Sequence, residues 1–419
     1  NLLLGLGIQR PGVELLQLFE WVRQEGVTTL VTTSGSETGR GSLILDEYAV
    51  DCVIQLSQHL DQQLMTRYLR VVKMRGSSHG TNAYPFSLND HGIALLPITS
   101  TRLDKEASQE RISTGIREMD QMLGAAGYFK GSTLMFSGRS GSGKTILLAT
   151  LLEEALRQGR RGLFLSFEES PSELQRNLLS VGIDLQPYLK QGVLALESRR
   201  AVEMGLEEHL ITTLQQLEQG EYDLLILDPV TALIDMGDTN QVKMLLIRFF
   251  SYLKSLGVTI VLSELLPDYS GDYSNLAISS LIDAWFRLRQ VENSGEFNRT
   301  INLIKARGSS TSNQIKEFRL TSKGVVIEEP YIGDGTMVFG AAKSVAEARD
   351  REVEEENAHQ REQLRQSLLT LEATHQAHLK VKEAEFTQQH RLLERELELL
   401  RQQENRLQQR RTEMQQRRS

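Results

Sequence analysis

Short apolar runs alternate with amphipathic stretches over most of the chain, and the last part loses that rhythm. Ser132–Ser137, Leu163–Phe167 and Leu224–Asp228 are nearly continuous apolar runs of strand length. Such runs mark strands buried on both faces of a parallel sheet. Ile146 to Gln158 has the spacing of an amphipathic helix. Arg299–Lys305 and Tyr68–Met74 alternate with period two instead, as strands with one wet face do. Together these elements predict an α/β fold. From Val345 to Ser419 there is no proline or glycine, and Glu, Gln, Arg and Leu dominate, which predicts one long helix. Leu379, Phe386, Leu393, Leu400, Leu407 and Met414 recur every seven residues, one seam of a coiled coil. The second seam is poor: Leu397 fits, and its equivalents are mostly polar. Leu364 and Leu371 sit one residue out of phase, so a discontinuity is expected. Polar helices this long seldom persist alone, so the tail is expected to associate with other helices. Its acidic start (Glu352, Glu354, Glu355, Glu356) and basic end (Arg410, Arg411, Arg417, Arg418) allow antiparallel pairing, and parallel pairing stays open.

The chain also repeats itself once. Gly26-Val27-Thr28 recurs as Gly257-Val258-Thr259 and Phe19 as Phe250, at an offset of 231. Arg75-Gly76-Ser77-Ser78 recurs as Arg307-Gly308-Ser309-Ser310, and Gly92 as Gly324, at an offset of 232. Each copy runs through an amphipathic helix, a β-rich strand (Val27–Thr32 or Val258–Ser263), a variable loop and further strands. The second copy is complete from about Arg111, whereas the opening of the first would fall before residue 1. The expected organisation is therefore the C-terminal part of a first domain over 1–100 and a complete second domain over 101–330. A linker over 331–344 and a coiled-coil helix over 345–419 follow.

Composition narrows the class. With 419 residues the chain exceeds what one core usually accommodates. A formal net charge of −8 argues against a general nucleic-acid binder, which needs clustered positive charge. The single cysteine, Cys52, cannot form an internal disulfide, so a reducing cytoplasm fits best. No apolar stretch approaches a membrane span, and no membrane association is expected. The start, Asn1-Leu2-Leu3-Leu4, lacks a methionine and a basic region. It reads as an internal cut in a longer protein and not as a signal peptide.

The chemistry centres on Gly138-Arg139-Ser140-Gly141-Ser142-Gly143-Lys144-Thr145, which fills the template G-x-x-x-x-G-K-S/T. The glycines let backbone N–H groups turn toward phosphate oxygens, Lys144 reaches the β- and γ-phosphates, and the Thr145 hydroxyl ligates Mg²⁺. A predicted strand precedes the loop and a helix follows it, so the helix N-terminus faces the anion. Asp228 ends an apolar strand, where such a carboxylate holds the Mg²⁺ shell through water or Thr145; capping a turn is the plainer alternative. Glu168 and Glu169 end another strand. One of them should face the phosphate, since adjacent strand residues point opposite ways. A carboxylate there orients and deprotonates an attacking oxygen, either water in an ATPase or a protein hydroxyl in a kinase. By composition alone Ser279 and Ser280 are ordinary helix-start serines. Lys305 and Arg307 lie on one face of a strand end and could hold a phosphate on a neighbouring subunit.

Taken in order, these pieces resemble the KaiC family of circadian clock proteins, within the RecA-like ATPases, over about residues 10 to 330. The marks are Arg111-Ile112-Ser113-Thr114-Gly115, the phosphate loop, Phe167-Glu168-Glu169-Ser170, Ile278-Ser279-Ser280 and the twice-used Lys-x-Arg-Gly-Ser. The resemblance implies RecA-like P-loop NTPase domains, a homo-hexameric ring with ATP between subunits, slow hydrolysis, and autokinase and autophosphatase activity in the second domain. It assigns ATP and Mg²⁺ to Lys144, Thr145 and Asp228, catalysis to Glu168 and Glu169, and phosphorylation to Ser279 and Ser280, where the family usually has Ser-Thr. Lys305 and Arg307 match basic residues reaching a neighbour's ATP, and Lys73, Arg75 and His79 match the set serving the first domain. A KaiB partner is implied for the parent protein. The family's short tail is what its activator KaiA grips, and a long helix stands there instead, so the resemblance does not extend to KaiA.

In the ring so expected, one protomer supplies Gly138–Thr145, Glu168, Glu169 and Asp228, and its neighbour supplies Lys305, Arg307, Ser279 and Ser280. The tails are expected to bundle subunits, or two stacked rings. Two other classes share the core: a DNA-dependent motor, which needs a basic DNA-facing element not evident here, and an ATP-assembled scaffold, against which the glutamate pair speaks.

Overall fold

The structure is a computed structural model. It describes residues 11–33, 49–61, 64–89, 92–95, 108–124, 127–234, 236, 239–267, 278–293, 295–308, 314–322, 324–333 and 336–416. The chain forms two compact units, residues 1–330 and 331–419.

The first unit opens with helix α1 (Pro11–Gln24) and an antiparallel sheet of β1 (Cys52–Asp61), β2 (Leu64–Met74), β3 (Ala83–Asn89) and β4 (Gly92–Leu95), paired in sequence order. A short ribbon of β5 (Arg111–Ile112) and β6 (Tyr128–Phe129) follows, with α2 (Arg117–Met122) between them. Asp120 fixes that turn by accepting from the Thr114 backbone N–H, the Thr114 hydroxyl and the Ser113 hydroxyl.

The main sheet then builds around β7 (Thr133–Gly138), which leads into α3 (Lys144–Arg157). Next come β8 (Gly162–Ser166), α4 (Pro171–Leu179), α5 (Gln186–Lys190), β9 (Leu194–Ser198) and α6 (Leu206–Gly220). The chain continues through β10 (Leu224–Asp228), α7 (Thr231–Ile234), α8 (Thr239–Leu256) and β11 (Thr259–Leu265). Three antiparallel additions complete the sheet: β12 (Ala284–Asn293) turns into β13 (Glu296–Ala306), then β14 (Ile315–Thr321) and β15 (Gly324–Glu328). The strand order is β15-β14-β13-β12-β7-β11-β10-β8-β9, and the six strands from β12 to β9 run parallel.

Every residue of β7, β8 and β10 is buried, because helices cover both faces. One face packs Phe136, Phe164, Ile226 and Phe286 against Leu147, Leu148, Leu151 and Leu152 of α3. The other packs Met135, Leu165, Leu227 and Leu262 against Leu210 and Leu214 of α6 and Phe249, Phe250 and Leu253 of α8. This is the α/β, RecA-like arrangement, and it leaves the C-terminal strand ends of the parallel sheet open to a ligand.

The second unit pairs β16 (Tyr331–Gly333) with β17 (Thr336–Val338) and continues as one helix, α9 (Gly340–Gln416). At 77 residues that helix is about 115 Å long at the standard rise. Its seven-residue seam is solvent-facing, with Leu379 49% and Met414 70% exposed.

Several expectations need correction. Val27–Thr32 is not a strand: residues 27–33 form neither helix nor strand and are exposed. A strand exists through its ladder partners. The counterpart β11 lies between β10 and β7, and among the described residues no strand lies beside 27–32. The expected linker contains the β16–β17 hairpin, and the helix starts at Gly340 rather than Val345. Ser279 and Ser280 do not open a helix; they sit in a turn. The proposed boundary at residues 100 and 101, Ser309, Ser310 and residues 417–419 lie outside the described residues.

Candidate nucleotide site

The phosphate loop joins the C-terminal end of β7 to the N-terminus of α3, where unsatisfied backbone N–H groups gather. Two glycines hold it close to the sheet. Gly143 has φ +95°, and a Cβ there would lie 2.8 Å from Cζ of Phe318 on β14. A Cβ on Gly138 would lie 2.8 Å from the Leu288 carbonyl oxygen. Arg139, Ser140, Gly141 and Ser142 form the outer curve, with Ser142 buried and its neighbours exposed. The Lys144 ammonium is buried and donates to the carbonyl oxygens of Gly138 at 3.0 Å and Arg139 at 2.8 Å. Burial pushes its pKa below the ordinary lysine range, while the charges of Asp228 and Glu168 oppose that shift.

Those two carboxylates arrive from β10 and from the residue pair just past β8. Asp228 is buried and accepts hydrogen bonds from the hydroxyls of Ser263 and Thr145. Burial raises its pKa and the two hydrogen bonds pull it back. Glu168 stands at the mouth of the site. Partial desolvation, then the nearby Asp228 charge, raise its pKa, and Lys144 acts against them. Glu169 is engaged elsewhere: its carboxylate accepts from Asn177 Nδ2 of α4 at 3.0 Å, and its backbone N–H donates to Ser166 Oγ at 3.0 Å. The adjacent Ser170 caps α4 in a reciprocal box with Glu173. The glutamates therefore differ, and Glu168 is the one electrostatically coupled to Lys144. The turned loop at the N-terminus of α3, with the buried Lys144 ammonium beside it, suits a phosphate. Thr145 and Asp228 offer the hard oxygen donors that suit Mg²⁺.

Ser279, Ser280, Lys305 and Arg307 gather at the other end of the central strands. Because β12 runs parallel to β7 and Ala284 pairs with Leu134, the Ser279-Ser280 turn lies at the start of β7, whereas the phosphate loop lies at its end. Five strand steps, about 16 Å, separate the two ends. Lys305 Nζ donates to the Ser279 carbonyl oxygen at 2.7 Å and Arg307 Nη2 to the Ser280 carbonyl oxygen at 2.6 Å. Asp283 ties the turn down: its carboxylate accepts from the Thr133 backbone N–H at 2.8 Å and pairs with Lys254 at 2.5 Å and Arg307 at 3.6 Å. The chain thus brings together two groups of residues but not the groups themselves.

In the first segment, Asp51 pairs with Arg23 at 3.2 Å and Arg75 at 3.5 Å. The Arg75 N–H donates to the Asp51 carbonyl oxygen as Arg307 N–H does to that of Asp283. Lys73 lies on β2, opposite Val53, and His79 is half-buried beyond the following turn. Sequence reasoning missed Asp51 and Asp283, although they match at the offset of 232. It also missed Asn177, Ser263 and Phe318, which no local motif announces.

A phosphate loop at the end of a central parallel strand, faced by a buried strand-end aspartate, defines a P-loop ATPase domain of the RecA-like class. A family model described as "ATPase: KaiC" matches residues 9–100 and 112–331, and the chain belongs to the KaiC family. The circadian clock protein KaiC2 of Synechocystis sp. is 40% identical over 333 residues, 79% of this chain and 59% of that protein. The circadian clock oscillator protein KaiC of Synechococcus elongatus is 31% identical over 333 residues, covering 78% and 64%. That of Rippkaea orientalis is 30% identical with the same coverage. The chain thus spans about three fifths of the length of these curated relatives. Among the described residues no helix is long and apolar enough to cross a membrane.

Proposed function

We propose that this chain is part of a KaiC-like clock protein, and that it binds ATP, hydrolyses it slowly and phosphorylates Ser279 and Ser280 across a protomer seam. The observation that carries the seam is the separation of the two groups. Acceptor turn and phosphate loop lie at opposite ends of the adjacent strands β12 and β7, so a serine meets a γ-phosphate on another copy of the chain. Repeated around a closed symmetry axis, that head-to-tail contact makes a ring, and six copies is the number the family resemblance implies. Lys73, Arg75 and His79 serve the equivalent seam of the first domain, whose span is 1–100, with the second over 101–330.

Gly138, Ser140, Gly141, Ser142 and Gly143 wrap the phosphates, and Lys144 leaves its carbonyl partners for the β- and γ-phosphate oxygens. Thr145 and Asp228 hold Mg²⁺, which when bound neutralises phosphate charge. Glu168 accepts the proton from a serine hydroxyl or from water as that oxygen attacks the γ-phosphorus. The bond from phosphorus to the bridging oxygen breaks and ADP leaves with that electron pair. Glu169, anchored by Asn177, keeps the strand end in place. Lys305 and Arg307 of the neighbour offset charge on the transferring group. KaiB is the partner this reading gives the parent protein, and the tails join subunits or two stacked rings.

Incubation with γ-labelled ATP tests the reading. Label on Ser279 or Ser280 that disappears in Lys144→Ala supports it; phosphate release without label reduces the protein to an ATPase, and neither leaves only a scaffold.

A further inference from the structure

Among the described residues, the acceptor turn gathers more positive charge than Asp283 balances. Lys254, Lys305 and Arg307 converge on it, and Asp283 pairs with Lys254 and Arg307, while Lys305 donates to a neutral carbonyl. The crowding has a cost: partial burial, then the charges of Arg307 and Lys254, hold the Lys305 pKa below the ordinary lysine range against the opposing pull of Asp283. An anion added at this turn would relieve it.

The repeat supplies a second, independent observation. Arg23, Asp51 and Arg75 reproduce the pairing of Lys254, Asp283 and Arg307. In the sequence, the offset of 232 aligns Ser279 with Glu47. The first copy therefore has a permanent carboxylate at the chain position where the second has a hydroxyl that phosphorylation can charge.

We propose that Lys305 and Arg307 are a phosphate seat for their own chain: a phosphoryl group on Ser279 is bound by these two side chains of the same protomer and draws them away from the neighbour's nucleotide. The inference rests on the reading that both face a neighbour's ATP. The added group carries about −1.5 to −2 charges near neutral pH. A charge-assisted bond to it is stronger than the present bond to a neutral carbonyl, and the short tether gives it a high effective concentration. Each phosphorylation event thereby slows the adjacent site.

The test places phosphoserine at position 279 of the full chain during synthesis and follows its second ionisation by ³¹P NMR. That ionisation lies near about 6 for a free phosphoserine. The expected result is a value lower by about one unit, kept by Lys305→Arg and returned toward the free value by Lys305→Gln with Arg307→Gln. An ordinary value in the parent chain, or a low one indifferent to those two substitutions, overturns the seat. Assemblies mixing a phosphoserine chain that lacks both cations with an unmodified chain that has them separate same-chain from cross-seam binding; a low value there also overturns it. Installing the phosphoserine makes the outcome independent of self-phosphorylation, which the γ-labelled ATP experiment decides separately.

Discussion

The indole Nε1–H of Trp285 donates to Ser137 Oγ at 2.7 Å inside the sheet. Trp285 belongs to β12, which follows the acceptor turn, and Ser137 precedes the phosphate loop on β7, so one buried bond joins the strands that lead from both groups. Ser137→Ala leaves the indole N–H unsatisfied and is expected to cost about 1–3 kcal/mol. Urea unfolding measures it, and a double-mutant cycle with Trp285→Phe isolates the pair.

Gly143 is held by geometry rather than by flexibility. A methyl group there would meet the Phe318 ring at 2.8 Å with φ at +95°. Gly143→Ala is expected to destabilise the loop by about 1–3 kcal/mol and to weaken nucleotide binding. Phe318→Leu added to it should restore only part, because the backbone strain remains. Fluorescent-nucleotide titration checks both.

Glu168 sets the acid limb of turnover. Its pKa is raised by partial desolvation and by Asp228, so its carboxylate is lost at a higher pH than the ordinary glutamate value near about 4.3. ATP turnover should fall on acidification through that raised pKa. Glu168→Gln should abolish the limb and lower turnover about 10²–10⁴-fold. The folded chain binds this proton more tightly than the unfolded one. The group therefore favours folding below the unfolded pKa, and that contribution is lost as pH rises through the folded value. At neutral pH, Glu168→Gln should raise the thermal midpoint while turnover drops.

The tail presents Leu379, Phe386, Leu393, Leu400, Leu407 and Met414 to solvent in a single chain. Deleting residues 345–419 should reduce the assembly mass in solution without removing nucleotide binding. An unchanged mass in light scattering would remove tail pairing from the account.

The sequence made the phosphate loop and its flanking β7 and α3 readable because that chemistry is local and its spacing is rigid. The strands of the parallel sheet were readable because burial on both faces leaves an unbroken apolar run. Val27–Thr32 failed for the same reason reversed: its pattern is strand-like, but a strand also needs neighbours. Glu168 and Glu169 are alike in sequence and separate only through Asn177, eight residues beyond Glu169. The distance of Ser279 and Ser280 from the loop was unreadable, since it depends on β12 lying beside β7, a long-range pairing no local pattern encodes. Asp283 was within reach through the repeat.

Mixing two disabled chains tests the seam most directly. Lys144→Ala removes the loop's phosphate contact, and the Lys305→Ala, Arg307→Ala double variant removes the cations at the opposite strand ends. Each alone should turn over ATP poorly. Co-assembled, they should regain activity and label Ser279 or Ser280 chiefly on the Lys144→Ala chains, whose intact strand ends meet an intact loop. Activity equal to the sum of the separate variants, or label confined to the chains with the intact loop, would contradict the account.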